Sequence, residues 1–221
     1  NRISELTVEL DKLWKSLREL ALNLSSVRNH VAKEIEGKIS DELRKLAMPH
    51  ASVSIEIKSV DPDNFDQLNS HGADEMQILF SSHEGAKPGP ISKVASGGEL
   101  SRSILAIEVV LASAYPVGTY IFDEVDAGVG GKAAVEVGRR LKELSKSSQV
   151  IVVTHLAQVA VWGDCHIVVR KNESGQVSVS DVEIVRGNER AVEIARMLSG
   201  QEDSATAQEH ALELLKMVED S

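Results

Sequence analysis

Lys93-Val94-Ala95-Ser96-Gly97-Gly98-Glu99-Leu100-Ser101-Arg102 and, further on, Thr119-Tyr120-Ile121-Phe122-Asp123-Glu124 are the stretches on which the fold turns. The first puts two glycines at the mouth of a helix. From Glu99 onward, Leu100, Ile104, Leu105, Ile107, Val109, Leu111 and Ala112 cover most of a helical surface, the pattern of a buried helix. Its first turn carries free backbone N–H groups and the positive end of the helix dipole, a ready anion site. Gly97 and Gly98 let a ligand approach the backbone with no Cβ in the way. Ser96 and Glu99 also fit an ordinary capping box, which needs no ligand.

In the second stretch, Tyr120, Ile121 and Phe122 follow Gly118 and end in two carboxylates. This predicts a buried strand of an α/β sheet with Asp123 and Glu124 at its carboxyl end, where open α/β sheets bind ligands. Burying adjacent carboxylates unpaired is costly. A divalent cation and a proton to abstract would supply a reason for them. A strand end that merely reaches solvent is the plainer alternative. Val150–Val153 is a second apolar run, expected as a buried parallel strand. Thr154 and His155 at its end share the edge of Glu124 if the strands are neighbours. Taken alone, a histidine there serves structure more often than chemistry.

The order of Ser96-Gly97-Gly98-Glu99, Asp123-Glu124, Val125-Asp126-Ala127-Gly128 and Thr154-His155 resembles the second half of an ABC-type ATPase head. With Lys93-Val94-Ala95 ahead of the signature and Phe122 to Gly131 behind it, the chain is more narrowly similar to the RecN family. Those are bacterial DNA double-strand-break repair ATPases related to the SMC proteins. The resemblance implies an α/β fold, the carboxyl-terminal lobe of an ABC/SMC-type P-loop ATPase head with an N-terminal coiled-coil helix. It implies ATP and Mg²⁺ as cofactors. Asp123 would hold the metal through water, Glu124 would orient and deprotonate the attacking water, and His155 would contact the γ-phosphate. Ser96, Gly97, Gly98 and Glu99 would form the signature motif that meets ATP bound to a second head. Asp126 and Gly128 would belong to the D-loop at that dimer interface. Ala95 and Glu99 depart from the common LSGGQ signature, but both fit the RecN and SMC side of the superfamily. The implied partners are a missing N-terminal Walker A half, a second head in a homodimer, and DNA ends. The implied place is the cytoplasm, at the bacterial nucleoid.

Gly130-Gly131-Lys132 invites a phosphate-loop reading that fails. Position 126 is Asp where the first glycine is needed, and position 133 is Ala where Ser or Thr should bind the metal. No other stretch supplies that loop, so the chain alone is expected to be inactive. Lys132 reads as an exposed helix-start residue. A chromosome-organising SMC head is an alternative, against which the Val125–Gly131 segment argues. A non-enzymatic coiled-coil interaction module is another.

Outward from these motifs, Ile3, Leu6, Leu10, Leu13, Leu17, Leu20, Leu24, Val27 and Val31 alternate spacings of three and four, a heptad seam. Residues 1–47 are therefore read as one helix, the descending end of a coiled-coil arm, ended by Pro49. Residues 48–221 are read as the head lobe. Val53, Ile55 and Ile57 alternate with polar residues and predict a strand, paired with a second over Met76–Phe80. Asp61–Asp66 reads as a polar turn and 81–92 as a loop. Ala133–Leu144, Glu189–Leu198 (closed by Gly200) and Ser204–Val218 read as helices, the last docking through Ala205, Ala211, Leu212, Leu214 and Leu215. Ile167–Val169 and Val177–Val185 read as a hairpin turning at Asn172–Gly175.

The 221 residues carry 24 basic and 34 acidic side chains, a net charge of −10. Nucleic-acid binding usually shows a basic footprint, so any DNA contact must be local or lie elsewhere. One cysteine, Cys165, excludes an internal disulfide and suits a reducing compartment. No apolar run approaches the length of about 18 residues that a membrane helix needs, and no signal peptide is evident. Asn1 in place of Met fits a fragment or a processed chain.

Overall fold

The structure, a computed structural model, describes residues 2–59, 61, 64, 68–112, 114, 117–170, 182–201 and 204–220. They form two compact units, Asn1–Glu42 with His50–Ala95, and Leu43–Pro49 with Ser96–Ser221.

The first unit holds most of the long helix α1 (Arg2–Lys45) and a three-stranded antiparallel sheet. The strands are β1 (Ser52–Ser59), β2 (Asp74–Ser81) and β3 (Gly89–Pro90), followed by the short helix α2 (Ile91–Val94). The whole heptad seam from Ile3 to Val31 is exposed. A different stripe of the helix, with Ala21, Ala32 and Ile39, is buried. Polar contacts tie this stripe to the hairpin. The buried Asp74 carboxylate accepts from Ser25 Oγ at 2.5 Å, Arg28 Nη1 at 2.9 Å and Ser59 Oγ at 3.0 Å. Burial pushes the Asp74 pKa up, but these donors outweigh it and hold the carboxyl below its ordinary value.

Two expectations change here. The helix ends at Lys45, before Pro49, because Ala47 turns the chain with a left-handed φ of 61°. The expected loop 81–92 contains a paired segment, since Gly89 and Pro90 align with Phe80 and Leu79. Most of Asp61–Asp66 lies outside the described residues.

The second unit is built around α3 (Gly97–Leu111), β4 (Thr119–Asp123), α4 (Gly131–Leu144) and β5 (Gln149–Val153). β4 and β5 pair in parallel, with Thr119 opposite Gln149 and Asp123 opposite Val153. After α5 (Ala157–Ala160) come the antiparallel β6 (His166–Val169) and β7 (Val182–Val185), then α6 (Gly187–Ser199) and α7 (Ala205–Glu219). The turn expected at 172–175 and residues 177–181 lie outside the described residues. Gly200 closes α6 in the left-handed conformation, and Ser204 caps α7.

The core of this unit gathers Ala157, Val161, Trp162, Ile194, Ala195, Ala207, Ala211 and Leu214. In α7 the docking face is thus Ala207, Ala211 and Leu214; the expected Ala205 and Leu212 point outward. β4 and β5 are not buried on both sides as expected. Ile121 is 71% exposed, and Ile151 and Val153 beside it are open as well, because alternate residues of the paired strands share a face that no described element covers. α3 is likewise covered on one side only, with Leu105 and Ala106 buried and Ile104 exposed.

Gly138 of α4 lies so close to Trp162 that an added Cβ would overlap the indole ring. Gly138→Ala should therefore lower stability by about 1–3 kcal/mol despite alanine's better helix propensity. The urea unfolding midpoint of this chain measures it.

Candidate functional site

The site residues all lie in the second unit. α3 begins at a capping box: the Glu99 carboxylate accepts from the Ser96 backbone N–H at 2.9 Å and its hydroxyl at 2.8 Å. The backbone bond first, then the hydroxyl, hold the Glu99 carboxyl below its ordinary pKa against the opposing effect of burial. Glu99 is thereby engaged in forming the helix start, and Ser96 and Gly97 stay exposed at its tip. The first-turn N–H groups have no partner within the helix.

The parallel register places Asp123 at the end of β4 beside Val153 at the end of β5. Glu124 and the Thr154–His155 pair therefore follow on the same edge of the sheet. Asp123, Glu124 and His155 are exposed. No described residue hydrogen-bonds or ion-pairs with the Asp123 or Glu124 carboxylate. α3 reaches this edge directly: Ser101 Oγ donates to the Asp123 carbonyl at 3.1 Å. A Cβ added to Gly97 would stand 3.4 Å from Glu124 Oε2, so that carboxylate lies beside the helix tip.

Glu124 has φ 56°, a left-handed conformation uncommon outside glycine. Such backbone strain concentrates at functional positions, where the surroundings hold it. The turn that follows is closed by Ala127 N–H donating to the Glu124 carbonyl at 3.0 Å. In it Asp126 is 1% exposed and accepts from the Thr154 hydroxyl. His155 Nδ1 lies 3.8 Å from the Asp126 carboxylate. Gly128, in contrast, is exposed.

The structure thus brings Ser96, Gly97, Gly98, Glu99, Asp123, Glu124, Asp126 and His155 to one edge. Sequence reasoning missed Arg102, which is buried and donates through Nη1 to the Ala127 carbonyl at 2.7 Å. Burial pulls its guanidinium pKa down, while Glu99 and Asp126 oppose that effect. An arginine between two serines on a largely apolar helix was the available signal.

These residues fit a phosphate and a hard cation. The α3 tip offers the Gly97 and Gly98 N–H groups, outside the capping box that engages Ser96 and Glu99, and no described residue pairs with the Asp123 or Glu124 carboxylate. Among the described residues, no group of three or more His, Cys, Asp or Glu could hold a metal ion by itself. Mg²⁺ typically takes one or two carboxylates and completes its shell with water and substrate phosphates. A groove of about 510 Å³ lined by Arg170, Glu183, Asn188 and Glu193 contains none of the motif residues. Among the described residues, no helix is long and apolar enough to cross a membrane.

No family model matches the chain. Curated relatives do. The DNA repair protein RecN of Streptomyces coelicolor is 51% identical over 217 residues, covering 95% of this chain and 38% of the relative. RecN of Mycobacterium leprae is 39% identical, with 97% and 39% covered, and RecN of Deinococcus radiodurans 40%, with 95% and 36% covered. The chain therefore spans less than two fifths of the length of these relatives. Among solved structures, the Smc head domain with a coiled coil and joint derived from Pyrococcus yayanosii superposes with a TM-score of 0.57 at 21% identity. That match covers 98% of this chain and 35% of the other, and it shows a shared fold.

Proposed function

We propose that this chain, RecN-like in sequence over nearly its whole length, forms the carboxyl-terminal lobe of an ATPase head that acts in DNA double-strand-break repair. The observation that carries the reading is the meeting of the α3 tip with the Asp123–Glu124 edge, where the Glu124 carboxylate stands beside Gly97. Residues 1–47 are then the descending end of a coiled-coil arm. Its exposed seam from Ile3 to Val31 supports this, as an apolar stripe of that length suits a partner helix. Residues 48–221 carry the lobe, although the hairpin residues group with the helix in the first compact unit.

Bound Mg²⁺ and ATP supply the transferable phosphoryl group and the charge that neutralises it. Asp123 would orient the metal through a water molecule. Glu124 would hold the attacking water and take its proton, and its exposed position leaves room for that water. His155, on the neighbouring strand end, would contact the γ-phosphate. The Ser96–Gly98 tip would meet the γ-phosphate of ATP held by a second head through the Gly97 and Gly98 N–H groups, with Asp126 and Gly128 in the turn at that interface. Catalysis would come mainly from positioning. The amino-terminal part that supplies the phosphate loop, a second head and DNA ends are the partners. The place of action is the cytoplasm, at the nucleoid.

The test is ATP hydrolysis by this chain alone and after adding a Walker A-bearing amino-terminal half. Activity only on mixing supports the reading. Activity of the chain alone would mean that the nucleotide is held elsewhere. No activity in either case, with both parts folded, would favour an interaction module.

A further inference from the structure

Inside this chain, the start of α3, the turn after β4 and the turn after β5 are joined by one line of partly buried polar contacts. Arg102 is 6% exposed, and its Nη1 bonds the Ala127 carbonyl. That carbonyl would stand 2.8 Å from a Cβ on Gly98, and the Ala127 Cβ 3.0 Å, so only glycine lets the helix approach the turn this closely. On the other side of the turn, Asp126 accepts from the Thr154 hydroxyl. The same hydroxyl accepts from the Leu156 N–H at 3.0 Å and so fixes the backbone around His155. Burying a guanidinium is costly unless it is paired. Arg102 Nε is buried and has no hydrogen-bond partner among the described residues, an expense that packing alone does not require.

We propose that Arg102 is a positioning residue that locks the start of α3 to the Asp126–Gly128 turn, so that a displacement of Ser96–Gly98 reaches His155 through Asp126 and Thr154. The functional consequence rests on the ATPase reading above; the structural linkage does not. A nucleotide engaged at the helix tip by one head would thereby adjust the histidine serving the other nucleotide, the one bound to the head that contains the tip. The coupling is local, because every link is a single hydrogen bond or a backbone contact.

Two measurements test it. In this chain alone, Arg102→Ala should speed amide hydrogen exchange about ten-fold in residues 125–129 and 154–156 and leave α6 and α7 unchanged. Arg102→Lys keeps a donor for the Ala127 carbonyl and should restore most of the protection. Unchanged exchange at the two turns overturns the linkage. If the alanine variant does not fold, Arg102→Gln, which keeps part of the stem and loses the charge, decides in the same way. In the complete protein, Arg102→Ala should lower kcat about ten-fold with KM changed by less than about two-fold. Adding Thr154→Val should then cost little more, because both variants cut the same line. Fully multiplicative effects would show two independent structural roles and overturn the relay. A wild-type protein without ATPase activity would defeat the functional reading, and the exchange result would still judge the linkage.

Discussion

Glu124→Gln is expected to lower ATP hydrolysis by the complete protein about 10²–10⁴-fold, the usual contribution of a positioned general base. The substitution keeps the size and the hydrogen-bonding outline of the side chain and removes only its ability to take a proton. Asp123 is untouched, and the strand register that places both residues depends on backbone pairing with β5. Nucleotide binding and ATP-dependent pairing of heads should therefore persist, and pairing should be prolonged because the nucleotide is no longer consumed. The left-handed backbone at Glu124 gives a useful control. Gln has the same branching at Cβ and should keep that conformation at similar cost, whereas Glu124→Gly relieves the strain and should raise stability while abolishing turnover. Single-turnover phosphate release measures the chemical step, and size-exclusion chromatography with ATP measures pairing. Hydrolysis at the wild-type rate would remove Glu124 from the mechanism.

The parts of the fold visible in the sequence are those in which a local pattern and the tertiary arrangement demand the same thing. Tyr120–Phe122 and Val150–Val153 read as strands because short apolar runs flanked an amphipathic helix; they lie within β4 and β5, and that order favours parallel pairing. The heptad seam fixed α1 to within a few residues. What stayed hidden depends on neighbours that no periodicity encodes. Ile121, Ile151 and Val153 are apolar and read as buried, yet they are exposed, because the pattern tells which face wants cover and not whether anything in the chain covers it. Gly89 and Pro90 pair with β2 although proline seldom signals a strand; they sit at an edge, where a missing N–H costs little. At the site, the motif residues and their shared edge were legible. The left-handed Glu124, the buried Asp126–Thr154 bond and the Arg102 clamp were not, since each joins residues distant in sequence or rests on a backbone angle.

The arrangement of the tip also predicts a result that a site acting within one head could not give. Ser96 and Gly97 are exposed, and Glu99 turns back to cap its own helix; on the proposed reading, the tip serves a nucleotide on another head. Ser96→Arg should block that contact by bulk and leave the Asp123–Glu124 edge of its own head intact. Alone, the Ser96→Arg and Glu124→Gln proteins should each be nearly inactive. Mixed in equal amounts, heads that pair as proposed should form hybrid dimers by the two-fold exchange expected of an isologous interface. In each hybrid, one nucleotide meets an intact Glu124 from its own head and an intact tip from the other, and that site should turn over. Random pairing puts half of the heads into hybrids and leaves one working site of two in each, so activity should return to about a quarter of wild type. A mixture as inactive as its components, with hybrids demonstrated by differential tagging, would mean that the tip serves its own head or that both sites must fire together. A variant dead at both positions in one chain, mixed with wild type, separates those cases. If both sites must fire together in trans, its hybrids are inactive, because each nucleotide lacks either the tip or Glu124. A tip acting in cis leaves the wild-type head in every hybrid fully active.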